Sequence, residues 1–306
     1  MFIDELKNYI EQNGGKMAVV SIERMKTLQN DLCRFREETE LNGFQEWIFN
    51  NMYKFEAIPG SMKSIIIVAV SRPAYAKVRF TAGGKDYNAF AHVTANTDKI
   101  EKYIKSEMKR AGYAIQAEFD LPLKRIAVQS GLAEYGKNNI AYVEGMGSCF
   151  ILTAFSTEMP CENDAWRESV VSEKCGGCGI CTLNCPTKAI NKDRFLIDNQ
   201  KCLSAINEDT RDFPEWLPDT VHHTPYDCLM CQAGCPMNKG QEIIEAALDQ
   251  EETERLLAGA PYDDASEELK KKIHFLGLDY WPTVPRNLRV LFDMIDRGHI
   301  PALPDC

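Results

Sequence analysis

The sequence has no long apolar run. None approaches the ~18 consecutive residues that a membrane-spanning helix needs. Its best candidate, residues 64–70 (SIIIVAV), is the length of a buried strand, so no membrane partner is expected. A basic-then-apolar leader is also missing. The opening MFIDELKNYIEQNGG is acidic and amphipathic, which argues against export by that route and makes a cytoplasmic location the expectation. There is no solenoid-type repeat and no low-complexity tract. No G-x-G-x-x-G follows a predicted strand, so there is no direct case for a nicotinamide or flavin cofactor. Positive charge is in short supply: 35 Lys and Arg stand against 45 Asp and Glu, a formal charge of −10. Nucleic-acid binding usually leans on a basic footprint, and here the overall field opposes a polyanion.

What is present is a chain of 306 residues, 44% hydrophobic and 26% charged, which suits one large domain plus a small one. The first two-thirds read as mixed α/β. Phe2, Ile3, Leu6 and Ile10 share one helical face, and a second helix is predicted over residues 21–41, ended by Gly43. A helix with apolar positions Ile100, Ile104, Met108 and Ala111 follows a cap at Thr97 or Asp98 and stops at Gly112. Strands are predicted near 64–70, 113–119, 140–143 and 148–156, with a helix near 121–130. Composition changes at about Pro160. Beyond the cysteine-rich segment the pattern predicts helices over 242–257, 266–275 and 286–296. The expected division is 1–160, 161–240 and 241–306.

There are twelve cysteines, and in a cytosolic chain of this size clustered cysteines point to metal or redox chemistry. Cys175, Cys178, Cys181 and Cys185-Pro186 form C-x2-C-x2-C-x3-C-P, the bacterial ferredoxin run. Three thiolates so spaced can wrap three corners of a cubane, and Gly176, Gly177 and Gly179 let the backbone curl close. Cys228, Cys231 and Cys235-Pro236 repeat the run, with its first member displaced upstream to Cys202. In two-cluster ferredoxins the fourth cysteine of each run serves the other cluster. That rule assigns Cys175, Cys178, Cys181 and Cys235 to one 4Fe–4S cluster, and Cys185, Cys202, Cys228 and Cys231 to the second. Paired zinc sites would want separate C-x2-C pairs, which fit this spacing poorly. Cys33, Cys149, Cys161 and Cys306 read as small hydrophobes or surface thiols.

Beyond the cysteines the chain resembles the epoxyqueuosine reductase family, cobalamin-dependent iron–sulfur enzymes related to reductive dehalogenases. The resemblance rests on Ile58-Pro59-Gly60-Ser61-Met62-Lys63-Ser64 before the IIIVAV strand, and on Gly84-Lys85-Asp86-Tyr87, similar to a G-x-D-Y-H element with Asn88 in place of histidine. It rests also on the stretch from Gly131 to Asn138 (GLAEYGKN), similar to G-L-G-W-x-G-K, on Gly147-Ser148, on Lys201-Cys202-Leu203-Ser204 and on Pro285-Arg286-Asn287-Leu288. It implies an α+β fold: an α/β corrinoid-binding, nitroreductase-like core, a two-cluster ferredoxin-like domain and a helical C-terminal tail. The implied cofactors are two 4Fe–4S clusters and cobalamin. The implied partners are an external low-potential donor of ferredoxin or flavodoxin type and a small molecule or modified nucleoside. The chain departs from the family in three places. An ungapped count puts Ala117 where the family has the catalytic aspartate of a D-S-x-P element, Glu134 replaces the family's Trp, and the helical-repeat extension of longer members is absent or much shortened.

The residues that the resemblance offers for corrinoid contact are Asp86, Tyr87, Gly131, Gly136, Lys137, Asn138, Gly147 and Ser148. Candidate proton donors are Tyr87, Glu118, Asp120, Glu134 and Tyr135, since a shielded carboxylic acid can hold its proton near neutrality. No histidine lies in the D-x-H-x-x-G pattern of classical cobalamin carriers, and His222-His223 read as structural. Three functions follow. The first is a cobalamin-dependent reductase, favoured by the retained motifs. The second is a non-catalytic electron-transfer or corrinoid-reducing partner, favoured by the missing aspartate. The third is an epoxyqueuosine reductase acting on tRNA, disfavoured by the net charge.

Overall fold

The structure is a computed structural model that describes residues 2–279 and 282–304. Cys306 lies outside the described residues. The chain begins with α1 (Phe2–Gln12), β1 (Gly15–Ser21), α2 (Glu23–Glu38), α3 (Gly43–Asn51) and β2 (Ser64–Ser71). It continues with β3 (Tyr75–Ala82), β4 (Lys85–Ala91), α4 (Asp98–Arg110), β5 (Ile115–Glu118) and α5 (Leu123–Gln129). Next come β6 (Glu134–Tyr135), β7 (Ala141–Tyr142), β8 (Phe150–Thr157), α6 (Ile180–Asn184), α7 (Leu203–Glu208) and α8 (Met230–Ala233). The last elements are β9 (Ile243–Leu248), α9 (Gln250–Ala258), α10 (Glu267–Phe275) and α11 (Val284–Asp296). No helix among the described residues is long and apolar enough to cross a membrane.

Two compact units result, and they do not follow sequence order. The first comprises residues 1–71, 96–146 and 150–176; the second comprises 72–95, 147–149 and 177–306. The reason is topological. Hairpin β3–β4 comes from the first half of the chain, yet β3 pairs in parallel with β9, from Tyr75 opposite Ile243 to Phe80 opposite Leu248. The contiguous segments expected from composition therefore do not coincide with the units.

The first unit is built on a four-stranded sheet in the order β1-β2-β8-β5, antiparallel throughout. Strand β2 is central and buried from Ser64 to Val70. A strand buried on both faces reads as one continuous apolar run, which is why SIIIVAV stood out. Ile65, Ile67 and Ala69 pack with α2 and α5 residues such as Leu28 and Ile126. Strand β1 had no sequence expectation; Gly15 starts it because a Cβ there would lie 2.6 Å from the Ile10 side chain.

The second unit carries the sheet β4-β3-β9. Its core joins Phe80 and Leu248 to Leu256, Ile273, Leu288 and Leu291 from the C-terminal helices. Here the expected helix over 242–257 and the all-helical tail are corrected. Residues 243–248 form β9, and the helix starts only at Gln250. The Glu- and Ala-containing stretch IIEAAL suggested a helix, but pairing with β3 overrides so weak a preference. A local marker of the true start was present. The Asp249 side chain accepts from the Glu252 N–H at 2.9 Å while Glu252 accepts from the Asp249 N–H at 3.0 Å. That reciprocal capping box sets the helix N-terminus.

Candidate functional site

The second unit gathers the thiols expected to hold the second cluster. Cys185 sits just past α6, Cys202 caps α7, and Cys228 and Cys231 flank the start of α8. Burial pushes the Cys228 thiol well above its ordinary pKa, and the charges of Cys231, Cys202 and Cys185 oppose its ionisation further. Cys202 is raised as well, by burial and then by Cys185 among its charged neighbours. Four side chains from three separate stretches thus feel one another. The crossed pairing selects these four, and Cys181 of the other set also packs against Cys185. Packed protein alone would keep such thiols protonated; positive iron would be needed to hold them as thiolates, so the donor set fits a cubane. Among the described residues no three Cys, His, Asp or Glu side chains converge as ligands around a single ion; a cubane spreads its four thiolates over separate corners. Of the other set, Cys178, Cys181 and Cys235 belong to this unit and Cys175 to the last turn of the first. Gly177 between them has φ +70°, a conformation that glycine adopts without strain.

Two devices brace the loop between Cys202 and Cys228. Asn287 is fully buried on α11 and donates to the carbonyls of Asn207 and Pro225, both at 2.8 Å. Arg286 beside it donates to the carbonyls of Arg211 and, at 3.2 Å, Ile206, with its guanidinium 4.0 Å from the Phe213 ring centroid. The Pro285-Arg286-Asn287 motif therefore acts on the second cluster's loop from 60 to 80 residues away. We expect Asn287→Ala to cost about 1–3 kcal/mol, since two buried carbonyls lose their donors. It should also speed the loss of about half the iron to a chelator, followed by absorbance; loss of all the iron at one unchanged rate would contradict this. The second device is His223. Its Nε2 accepts from the Leu229 N–H at 3.0 Å and its Nδ1 lies 2.9 Å from the Val221 carbonyl. A neutral ring protonated at Nδ1 satisfies both contacts, so His223 fixes the backbone next to Cys228.

Gly147 and Ser148 are also in the second unit. Ser148 N–H donates to Asn238 Oδ1 at 2.7 Å, its hydroxyl donates to Gln232 at 2.8 Å, and Asn238 Nδ2 donates back to it at 2.8 Å. A Cβ on Gly147 would stand 2.1 Å from Asn238 Oδ1 and 2.7 Å from the Met237 carbonyl, at φ +59°. Glycine is thus demanded by contact with the segment just after Cys235. Gly147→Ala should destabilise the protein by roughly 2 kcal/mol or more, measured as a lowered urea midpoint; an unchanged midpoint would refute the contact. Asp86 and Tyr87 lie on β4. Asp86 accepts from Thr81 at 2.8 Å. The Tyr87 ring stacks on Phe292 at 4.0 Å, and its hydroxyl donates to Asp296 at 3.2 Å. Burial and Asp296 raise the Tyr87 pKa.

The remaining candidates are in the first unit. Gly131, Lys137 and Gly145 are exposed, and Gly131 and Gly145 both have φ +79°. Gly136 is buried because a Cβ would meet the Tyr142 ring at 2.5 Å. Asn138 is buried and donates to the Tyr142 hydroxyl at 2.9 Å. Glu134 is half-buried on β6 opposite Tyr142. Tyr135 next to it is buried, and desolvation pushes its pKa up to about 12. Among the acids, Glu118 is buried and accepts from Ser156 at 2.5 Å and Gln116 at 3.1 Å. Asp120 is half-exposed and paired with Lys54 at 2.9 Å. The candidate corrinoid residues are therefore split: Gly131, Gly136, Lys137 and Asn138 in one unit, Asp86, Tyr87, Gly147 and Ser148 in the other. The reading of His223 as structural is borne out, since it braces the backbone between Val221 and Leu229.

Comparison with known proteins follows the same lines. The family described as a 4Fe-4S double cluster binding domain matches residues 174–238. Epoxyqueuosine reductase of Aliivibrio fischeri is 29% identical over 177 residues, covering 57% of this chain and 46% of its own. That of Bacillus subtilis is 24% identical over 255 residues, covering 78% and 64%. Over these stretches the chain is similar to epoxyqueuosine reductases. Its fold agrees: a structure of the Bacillus subtilis enzyme, with its catalytic aspartate loop swung out of the active site, superposes with a TM-score of 0.69 at 20% identity, over 95% of this chain and 80% of that one. An epoxyqueuosine reductase bound to a tRNA-Tyr stem loop gives 0.66 at 18%, with the same coverage. The chain spans about half to two-thirds of the length of those two curated relatives.

Proposed function

We propose that the protein is an iron–sulfur, cobalamin-dependent reductase that passes single electrons from a low-potential donor through two 4Fe–4S clusters. The observation that carries this reading is the packing of Cys185 against Cys202 and Cys231, inside a match to a double-cluster domain. When bound, the clusters and the corrinoid would supply strongly reducing one-electron chemistry.

The chain's own residues have definable parts in this scheme. The eight cysteines would hold the clusters: Cys175, Cys178, Cys181 and Cys235 for one, Cys185, Cys202, Cys228 and Cys231 for the other. Gly131 and Gly145 are exposed; no heavy atom within 4 Å would meet a Cβ on Gly145, and the Arg167 side chain would meet one on Gly131 at 3.8 Å. A flat macrocycle could approach there, with Lys137 offering charge to its periphery. Of the two acids nearest the family's aspartate position, Glu118 is the better proton donor. It is shielded from water, whereas Asp120 is half-exposed and paired with Lys54.

The substrate class that similarity favours is a modified nucleoside, since a protein of like fold was crystallised with a tRNA stem loop. The charge of −10 still predicts that bulk tRNA binds weakly and is released as salt rises. The test is anaerobic reconstitution with iron, sulfide and hydroxocobalamin, gel filtration, then assay on epoxyqueuosine-containing tRNA. Retained cobalamin and conversion to queuosine support the proposal, and Glu118→Gln should then lower kcat while cobalamin is retained. Clusters without retained cobalamin would instead favour the electron-carrier reading, whose support is Ala117 at the family's aspartate position.

A further inference from the structure

A cavity of about 540 Å³ lies in the first unit, between α2, α5 and the segment after β8. That volume is within the usual range for small-molecule sites, roughly 300–1,000 Å³. It involves none of the residues proposed above for clusters, corrinoid or proton transfer.

Its polar groups are unevenly matched. Arg34 on α2 is paired with Asp31 at 2.9 Å. Arg167 donates to the Ala133 carbonyl at 3.1 Å and the Val128 carbonyl at 3.4 Å. Arg125 on α5 is different. Its guanidinium lies 5.8 Å from the Phe35 ring centroid, and its Nε is buried without a hydrogen-bond partner. One turn along the same helix is Gln129. Its residue is 3% exposed, its Oε1 has no partner, and it lines the cavity. A buried amide oxygen left unsatisfied costs free energy, as does a half-buried cation with no counterion. Trp166 forms part of the wall.

We propose that this cavity binds a small organic oxyanion that carries a hydroxyl group. The oxyanion meets Arg125, and the hydroxyl donates to Gln129 Oε1. The lining charges fit that choice. Asp31 is already neutralised by Arg34, so the three arginines and the two acids, Asp31 and Glu168, leave one cation over. A cationic ligand would be repelled by Arg125 and could pair only with exposed Glu168. An apolar ligand would leave both orphaned atoms unpaired. The inference does not rest on the cofactor reading and stands or falls without it.

The test uses the cluster-loaded chain in calorimetric titrations with four probes: ribose 5-phosphate against inorganic phosphate, and malate against succinate. The first pair reports a sugar phosphate and the second a hydroxycarboxylate. Within at least one pair, the hydroxyl-bearing member should bind at least tenfold more tightly. Arg125→Gln should weaken that binding at least tenfold. Gln129→Leu, which fills the site without an acceptor, should erase the preference for the hydroxyl. Both variants should keep the wild-type cluster absorbance, so failure of the proposed redox role would show separately. Absence of binding by all four probes below about 1 mM, or equal binding within both pairs, would overturn the proposal even if a variant fails to fold. Undiminished binding by a folded Arg125→Gln protein would do the same.

Discussion

Replacing Cys228 with alanine should take the iron content from about eight atoms per chain to about four. The reason is the grouping of thiols in the second unit. Cys228 is half-buried in a set in which Cys231, Cys202 and Cys185 all oppose its ionisation. Removing one corner thiolate exposes an iron atom and leaves three thiols clustered without sufficient positive charge. The other cluster keeps its own four cysteines. Cys185→Ala and Cys202→Ala should therefore perturb the same signal in the paramagnetic resonance spectrum, and Cys178→Ala a different one. That outcome is not trivial, because Cys185 is only four residues from Cys181 and seventeen from Cys202. Grouping by sequence would put it with Cys178. Matching spectra for Cys185→Ala and Cys178→Ala would refute the crossed pairing. Stoichiometric zinc without acid-labile sulfide would refute the clusters altogether.

The double-cluster segment was legible in the sequence because ferredoxin chemistry is local. Three thiols two residues apart and a cysteine before proline constrain the backbone whatever surrounds them. The central strand was legible for a similar reason: a run as apolar as SIIIVAV has few places to go but a buried strand. The helices α4, α10 and α11 likewise lie within two residues of their expected starts. What depended on distant partners was not legible. IIEAAL becomes β9 only because β3 lies beside it, and nothing in residues 243–248 announces that neighbour. Pro285-Arg286-Asn287 could be matched as a motif, but its hold on the carbonyls of Ile206, Asn207 and Pro225 is a long-range fact. Glu118 and Asp120 looked equivalent on the page. Burial of one and pairing of the other with Lys54 separate them. Gln129 and Arg125 passed unnoticed because an unpartnered polar atom shows only after everything else has been packed.

Lowering the pH from 7 to 5 should destabilise the second unit through its buried histidines, opposed in part by Glu208, whose pKa burial and then Asp227 raise to about 7. His222 and His223 are each only 2% exposed. Burial depresses both to about 4, with the neighbouring His223 also lowering His222. In the unfolded chain each would titrate near 6.5. Between about pH 6.5 and 4 the unfolded state binds protons that the folded state refuses, so stability falls as pH falls through this window and is fully present above it. A shift of that size corresponds to roughly 3 kcal/mol for a deeply buried ring, and the two together are comparable with the ~5–15 kcal/mol that holds a typical domain folded. The loss should be felt at the second cluster first. Protonating His223 at Nε2 removes the acceptor of the Leu229 N–H, one residue beyond Cys228. The measurement is the urea midpoint of anaerobic, cluster-loaded protein between pH 7.5 and 5, with cluster absorbance followed in parallel. Wild type should lose midpoint steadily below about pH 6.5. His223→Gln keeps an oxygen acceptor that does not protonate, so its midpoint should fall less steeply. A flat wild-type profile, or equal slopes for the two proteins, would show that burial of His223 is not what ties the cluster loop to pH.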